Sequence, residues 1–396
     1  MSDILFVDDD PGVLDGLKDA LHGERKRVHM EFAVGAAEAL AALVRRSFDV
    51  LVTDLRMPTM DGVELLQEVR RRHPGVTRIV LSGQATLAQA ARASALAHRY
   101  LVKPCSSAVL RSHIQRALEL RTQLSSDALK EVVGSLGTLP TTPSVYAELS
   151  AAVEDPELDL KRIAATVRRN LGLAARVLQF ANSAYCGFSR QVPGLEEAIL
   201  RLGLNTLRHL ALTVEVFELP ADPAMVEALQ RHGALTGAIA RRLVGRPEDA
   251  ELAFTAGLLH DAGALVLASR APEAYRVALQ ASSESGTPRH LSEKEWLGAS
   301  HAEVGAYLLS LWDLPHALVE PICFHHDLER LGEAGLDVCT AVALASVLAN
   351  EVDGQPPDPG ASLLLAKLAR LGDASEWRRT ACEARAEIDG GGAAAA

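Results

Sequence analysis

Acidic, hydroxyl and basic side chains follow four of five short apolar runs in the first part of the chain. Asp8 and Asp9 follow the first run, Asp54 the third, Ser82 the fourth and Lys103 the fifth. If these runs are parallel strands, their carboxyl ends meet at one edge of a sheet and can bring distant residues together. Three carboxylates raise one another's pKa unless a cation neutralises them, and Mg²⁺ suits such a site. The pattern indicates phosphoryl transfer to a carboxylate nucleophile, assisted by an ammonium and a hydroxyl group.

The elements that position these residues alternate in type before residue 125. Such alternation predicts an α/β domain with a doubly wound, five-stranded parallel sheet. Asp10 before Pro11 is a typical start of a helix, an acidic N-cap followed by proline. The predicted strands are Ile4–Val7, Val28–Phe32, Val50–Thr53, Arg78–Leu81 and Tyr100–Val102, and the predicted helices cover about 11–21, 36–46, 61–73, 86–97 and 106–124.

Four sequence motifs of this domain resemble the response-regulator receiver family, which has a flavodoxin-like fold. They are ILFVDDD at 4–10, DLRMPTMDG at 54–62, LSG at 81–83 and YLVKP at 100–104. Because they occur in order over the whole domain, the resemblance implies a receiver that is phosphorylated by a sensor histidine kinase. A receiver-like domain that has lost phosphorylation is the alternative, but degenerate copies usually lack the acceptor Asp, the Lys or the acid pair.

The resemblance also implies a role for each motif residue. Asp54 is the implied phosphoacceptor, Ser82 and Lys103 would bond the phosphoryl oxygens, and Tyr100 would be the switch whose rotamer follows Ser82. A cis peptide bond is implied before Pro104. The implied Mg²⁺ ligands are Asp8, Asp9, Asp54 and the backbone carbonyl of Arg56.

The second half of the chain has no convincing strand and carries histidines in or beside apolar helical patterns. A His-Asp pair at the end of a helix can direct one imidazole and one carboxylate at a single ion. Histidines from other helices would complete a mixed nitrogen and oxygen shell that suits Fe, Mn, Zn or Ni better than Ca. The candidate ligands are His232, His260, Asp261, His301, His325 and His326.

This half resembles the HDOD domain, a branch of the HD phosphohydrolase superfamily, which implies an all-α fold. The matching segments include LPTTPSVYAEL at 139–149, VLQFANSAYCGF at 177–188, GLLHDAG at 257–263 and HAEVGAYLLSLWDLP at 301–315. Two departures bear on catalysis. Ala345-Ser346 stands where metal-binding relatives carry an Ala-Asp pair, and no Gly-Tyr-Pro signature follows His326.

The function of the second half is therefore left with alternatives. A largely non-catalytic output domain that changes partners when the receiver is phosphorylated is favoured by the missing carboxylate. A metal-dependent phosphohydrolase acting on nucleotides or cyclic dinucleotides is supported by the histidines. A bound metal used structurally or for sensing is a third interpretation. The expected partners are a downstream protein and, after phosphorylation, a second copy of the chain.

The composition of the chain limits which ligands and which cellular compartment are expected. The net charge of −11 and the absence of a basic recognition helix argue against direct DNA binding. Five scattered cysteines, no signal peptide and no apolar run of membrane-spanning length predict a cytoplasmic protein. The predicted organisation is a receiver at 1–124, a linker helix at 125–136, an HDOD domain at 137–352, a helical appendage at 353–388 and a disordered tail at 389–396.

Overall fold

The structure is a computed structural model of the 396-residue chain. It describes residues 2–83, 85–123, 127–134, 160–212, 223–333, 335–355 and 359–393, together with Leu136 and Leu139. The predicted join between receiver and linker helix, and most of the segment LPTTPSVYAEL, lie outside these residues.

Five parallel strands form one sheet in the order β2-β1-β3-β4-β5. This order confirms the doubly wound, flavodoxin-like architecture predicted from the alternating pattern. The inner strands β3 and β4 are buried along their whole length, as expected when helices cover both faces of a sheet. The strands are β1 (Ser2–Asp8), β2 (Val28–Val34), β3 (Val50–Thr53), β4 (Thr77–Ser82) and β5 (Arg99–Val102).

Three helices of the first domain begin at residues whose side chains accept hydrogen bonds from free amides. The Asp10 side chain accepts a hydrogen bond from the Gly12 amide, and capping boxes begin the third and fourth helices at Asp61 and Thr86. These caps fix where each helix leaves the carboxyl edge of the sheet. The helices are α1 (Pro11–Ala20), α2 (Gly35–Arg45), α3 (Gly62–Arg72), α4 (Leu87–Ser94), α5 (Ser107–Gln123) and α6 (Asp127–Gly134), with a 3₁₀ turn at His22–Lys26.

The described part of the second half is helical throughout, which confirms the all-α prediction. The helix at 195–212 is interrupted at Gly203, whose φ of 68° lies in the left-handed region. The helices are α7 (Leu160–Arg169), α8 (Leu171–Ala181), α9 (Leu195–Leu212), α10 (Pro223–Leu243), α11 (Ala250–Leu259), α12 (Ala262–Arg270), α13 (Pro272–Ser285), α14 (Arg289–Leu297), α15 (His301–Leu311), α16 (His316–Phe324), α17 (Val338–Val352), α18 (Ala361–Leu368) and α19 (Ala374–Ala393), with a 3₁₀ turn at Pro247–Asp249.

The C-terminal segment differs from its sequence-based prediction. Helix α19 runs to Ala393, so residues 389–393 are helical although a disordered tail was expected from residue 389. Asp389 accepts a hydrogen bond from Arg231 on α10, and Glu387 accepts one from Arg242. These ion pairs hold the end of α19 against the domain despite the low-complexity sequence that follows.

The two domains share one hydrophobic core. The cluster that fills the all-α half also contains Ala90, Leu96 and Tyr100 of the receiver. A second cluster, including Ile4, lies on the other face of the sheet, under α1 and α5. The receiver therefore packs through its α4 and β5 side directly against the helical domain.

One helical stretch, Pro247–Arg270, is long and apolar enough to cross a membrane. However, 89% of its apolar window is buried inside the protein. This burial is what a core helix shows, since a lipid-facing helix would expose that surface.

Gly62→Ala should destabilise the receiver, whereas Gly16→Ala should not. A Cβ at Gly62 would lie 2.1 Å from the Asp54 carbonyl oxygen, while one at Gly16 meets nothing within 4 Å. We expect a loss of about 1–3 kcal/mol in the free energy of unfolding for Gly62→Ala. Gly16→Ala, within α1, should gain about 0.5–1 kcal/mol. Denaturant unfolding checks both, and equal effects would contradict the close approach of α3 to the Asp54 backbone.

Candidate functional site

The Lys103 ammonium lies between two carboxylates at the carboxyl edge of the sheet. Its Nζ donates to Asp8 Oδ2 at 2.6 Å and to Asp54 Oδ2 at 3.1 Å. Burial disfavours the charged amine, but these hydrogen bonds raise the pKa of Lys103 above its ordinary value. The structure thus brings together three residues from the ends of β1, β3 and β5.

Asp9 completes a set of three acids at this edge. One oxygen each of Asp8, Asp9 and Asp54 lies within 4.8 Å of the others. Asp8 is buried, Asp9 is exposed and Asp54 is intermediate, so the cluster opens to solvent on one side. Hard carboxylate oxygens beside open solvent fit Mg²⁺, which keeps several waters. The Arg56 amide lies 3.5 Å from Asp54 Oδ1, so the backbone passes beside the acceptor, and the role of its carbonyl stays a prediction.

Ser82 and Tyr100 lie behind the acid cluster on β4 and β5. The Ser82 hydroxyl oxygen is buried and makes no hydrogen bond of ordinary geometry, although it lies close enough to the Tyr100 phenol to lower the pKa of that group. Burial raises the pKa of the Tyr100 phenol to about 12, and Ser82, Tyr185 and Asp54 are its next largest influences. The cis peptide bond before Pro104 is confirmed.

In the helical domain, the six candidate ligands converge at the junctions of several helices. His232 lies on α10, His260 and Asp261 lie between α11 and α12, and His301 begins α15. In the series from His232 to His326, the centroids of neighbouring imidazole rings are separated by 4.0 to 5.5 Å. Two groups have ligand atoms close enough to hold an ion, namely His232 with His260 and Asp261, and His301 with His325 and His326.

Hydrogen bonds fix the tautomers of three of these histidines. His260 Nδ1 lies 2.8 Å from the Gly257 carbonyl oxygen, and His325 Nδ1 lies 2.8 Å from that of Ile322. A carbonyl oxygen only accepts, so Nδ1 carries the hydrogen and Nε2 keeps its lone pair. His301 Nδ1 lies 2.6 Å from Glu293 Oε2 and is oriented in the same way. This arrangement, with Nδ1 held by an acceptor and Nε2 free to bind, is the one that metal-binding histidines show.

Two further observations fit a metal ion in this cluster. His325 Nε2 is buried and has no hydrogen-bond partner, and His326 Nε2 lies 2.9 Å from His301 Nε2. Burial lowers the pKa of His232 to about 4 and lowers those of His260, His325 and His326. These four imidazoles are therefore neutral at pH 7, as metal ligation requires.

Glu293, Arg289 and Tyr275 belong to this site but were missed by sequence reasoning. Arg289 donates from Nε to Glu293 at 2.9 Å and also bonds the Tyr275 hydroxyl. Although burial opposes ionisation, His301 and Arg289 lower the pKa of Glu293 to about 2. The only sequence signal is that Glu293 follows Arg289 by four residues, which is common on exposed helix faces.

Ser346 occupies the position that the sequence comparison assigned to a missing carboxylate. His232 Nε2 lies 3.3 Å from the Ser346 hydroxyl oxygen. A serine supplies a neutral ligand where an aspartate would supply a charge, so the group around His232 keeps one carboxylate, Asp261, within its ligand set.

Comparison with known proteins matches two family models to the chain. The response regulator receiver domain matches residues 4–115, and the HDOD domain matches residues 139–328. The two matches follow each other in the order predicted from the motifs.

Individual relatives agree with this division. The MmoQ response regulator of Methylococcus capsulatus superposes with a TM-score of 0.50 at 25% identity, covering 62% of this chain and 98% of that one. An uncharacterised protein of Treponema pallidum is 28% identical over 279 residues, 69% of this chain and 54% of its own length. The transcriptional regulatory protein GlrR of Escherichia coli is 33% identical over 131 residues, 33% of this chain and 29% of its own. The chain thus spans about half of the first curated relative and under a third of the second.

The buried histidines should make stability depend on pH. The pKa values of His232, His260, His325 and His326 are lowered on folding, so below about pH 6.5 the unfolded chain binds more protons than the folded one. The free energy of unfolding should therefore be highest above that pH and fall towards pH 4. Each buried histidine adds a slope of up to about 1.4 kcal/mol per pH unit.

Denaturant unfolding between pH 7.5 and 4.5 measures this slope. His232→Asn should reduce it, whereas His316→Asn, whose side chain is 75% exposed, should leave it unchanged. An equal slope in the parent and the His232→Asn protein would contradict the assignment of neutral imidazoles.

Proposed function

The chain joins a response regulator receiver domain to an HDOD domain, and we propose that phosphorylation of Asp54 controls the HDOD domain as the output of a two-component signalling system. A sensor histidine kinase is the phosphodonor, and the setting is the cytoplasm. The output acts by binding a downstream protein or a second copy of the chain.

The observation that carries the proposal is the placement of Lys103 between Asp8 and Asp54. A nucleophilic carboxylate needs its charge neutralised while a phosphoryl group approaches, and positioning with charge neutralisation is most of what phosphoryl transfer requires. Mg²⁺ bound by Asp8 and Asp9 would supply further positive charge. The buried Ser82 hydroxyl supplies a donor for a phosphoryl oxygen.

Acetyl phosphate with Mg²⁺ should phosphorylate the parent protein at a single residue. Asp54→Asn should abolish incorporation because the amide is not a nucleophile, and Lys103→Gln should slow it by about 10²-fold. Asp15→Asn is the matched control, since that side chain is 70% exposed. Intact-protein mass spectrometry measures incorporation, and label retained by Asp54→Asn would contradict the assignment.

A second candidate function is favoured by the tautomers of the histidine cluster. Several Nε2 lone pairs converge beside the buried carboxylate Asp261, in a domain related to metal-dependent phosphohydrolases. A bound Fe, Mn or Zn ion would polarise a water molecule and lower its pKa. The ion would be held either by His232, His260 and Asp261 or by His301, His325 and His326, and Glu293 would orient His301. This arrangement supports a metal-dependent phosphohydrolase acting on a nucleotide or cyclic dinucleotide under receiver control.

Metal content of the protein purified without chelators decides between a metal site and a purely binding output domain. We expect about one transition metal ion per chain, bound through the Nε2 atoms. His260→Ala and Asp261→Ala should both lose it, and His316→Ala should retain it. Elemental analysis supplies the measurement, followed by assays on nucleotides and cyclic dinucleotides. A metal-free parent after supplementation with Fe, Mn and Zn would leave only the binding function.

A further inference from the structure

Two buried arginines, one from each domain, bind carbonyl groups at the ends of helices in the other domain. Arg99 on β5 of the receiver donates to the Ser310 carbonyl at 3.2 Å and the Leu311 carbonyl at 3.4 Å, at the end of α15. Arg176 on α8 of the HDOD domain donates to the Ala91 carbonyl in the last turn of α4. The Ala91 and Ser310 carbonyls also accept from the Ala95 and Asp313 amides, so each arginine adds a second donor at the end of a helix. Carbonyls at this end carry partial negative charge, so a cation there is stabilising.

The arginines are supported by a ring of polar contacts. Arg99 lies 3.4 Å from the Asp313 carboxylate, and its side chain is 2% exposed. Arg176 also donates to the Ser94 hydroxyl at 3.0 Å and to Gln179. Arg99 also donates to the His113 carbonyl of its own domain and Arg176 to Gln179 of its own helix, so only part of each donor set depends on the docked partner. Losing the acceptors on the opposite domain while the guanidinium stays buried would still be costly. The contacts therefore select one docked arrangement of the two domains.

Tyr100, the predicted switch residue, is also part of this docked face. Its ring packs edge-on against Tyr185 of the HDOD domain, with centroids 5.9 Å apart. The Ala184 amide donates to the Tyr100 carbonyl at 3.3 Å. A displacement of Tyr100 or of the backbone of β5 would disturb contacts made by the other domain.

The response at Ser82 can reach α4 over a short distance. Ser82 ends β4, and residues 83–86 lead to the start of α4 at Leu87. A phosphoryl group that draws Ser82 inward would act on the strand that this short connection joins to α4, whose Ala91 carbonyl holds Arg176.

Helix α15 connects the docked face to the histidine cluster. His301 is its first residue, and the carbonyls bound by Arg99 are at its last turn, about 15 Å away for an eleven-residue helix. Its start is packed backbone to backbone against α12, since a Cβ at Gly263 would lie 1.9 Å from the His301 carbonyl oxygen. A rigid helix held at both ends transmits a shift rather than absorbing it.

The interface also includes an imperfectly packed region. A cavity of about 180 Å³ lies beside Arg99 and is lined in part by Tyr100, Trp312 and Asp313. Empty or watery space forfeits packing contacts. An interface of this kind, held by polar contacts around a cavity, can open more readily than a closely packed core.

We propose that the receiver controls the histidine cluster through α15: Arg99 and Arg176 lock the unphosphorylated receiver onto the HDOD domain, and phosphorylation of Asp54 releases the C-terminal end of α15 and loosens His301 at its start. This inference rests on the proposed phosphorylation of Asp54. It adds which helix carries the signal and which site receives it.

Hydrogen exchange of the full chain, with and without beryllofluoride and Mg²⁺ as the phosphoryl mimic, tests the proposal. Beryllofluoride should speed exchange by about tenfold at the Ala184 amide, along the last turn of α15 and at the His301 amide, which donates to Glu293. Arg176→Gln should produce the same increase without the mimic, because it breaks the lock from the HDOD side and leaves the receiver intact. Arg45→Gln, whose side chain is 67% exposed and contacts Glu31, is the control that should leave exchange unchanged.

The outcomes separate the two proposals. If beryllofluoride protects the β4–α4 segment of the receiver but α15 exchanges as before, the receiver is activated and the control through α15 is wrong. If Arg176→Gln exposes Ala184 and the end of α15 but not the His301 amide, the lock is real and its link to the histidine cluster is wrong. The Asp54→Ala protein should show no change in exchange with the mimic. If the receiver of the parent protein also shows no change, the proposed phosphorylation of Asp54 is wrong and the inference is wrong with it.

Discussion

Buried charge must be compensated, and this constraint connects the sites of the molecule. Lys103 needs Asp8 and Asp54, Asp261 lies 3.6 Å from Arg289, and Arg99 and Arg176 need carbonyls from the opposite domain. Each of these groups would cost several kcal/mol if its partners were removed while it stayed buried. Because the partners come from distant parts of the chain, satisfying them fixes how the sheet, the helices and the two domains meet.

This constraint acts in opposite directions at the proposed phosphorylation site and at the interface between the domains. Adding a phosphoryl group at Asp54 increases the negative charge beside Lys103, so the receiver edge becomes more strongly held together. Among the described residues, the two arginines bind neutral carbonyls, the Ser94 hydroxyl and the Asp313 carboxylate of the interface, none of which contacts Asp54. Phosphorylation of Asp54 can therefore displace β5 and α4 from their docked positions, provided that the Ser82 hydroxyl is better hydrogen-bonded in the displaced arrangement than in the docked one.

The receiver could be predicted from sequence because its determinants are local. Strand periodicity, the caps at Asp10 and Asp61, and short motifs at strand ends each depend on a few neighbouring residues, and the predicted strands lie within one or two residues of the observed ones. The histidines of the second domain could be named as candidates for the same reason. Glu293 could not, since its partner His301 is reached only after α14 turns back towards α15, and nothing in RHLSEKEW distinguishes a buried carboxylate from an exposed one. Residues 389–393 were expected to be disordered but are helical, and the contact of Asp389 with Arg231 on α10 is long-range, so the sequence could not reveal it.

The contacts between the two domains could not be predicted from the sequence either, for a related reason. Arg99 at a strand end and Arg176 inside an apolar helix look like exceptions to their surroundings when the sequence is taken alone, because each finds some of its acceptors on the other domain. Arginine is suited to such positions, since its planar group offers five donors and can bind several carbonyls at once. A lysine would supply the charge but not this geometry. The two arginines therefore determine one relative arrangement of the receiver and the HDOD domain more than they act as general stabilising charges. A signal that alters this arrangement must displace the arginines first.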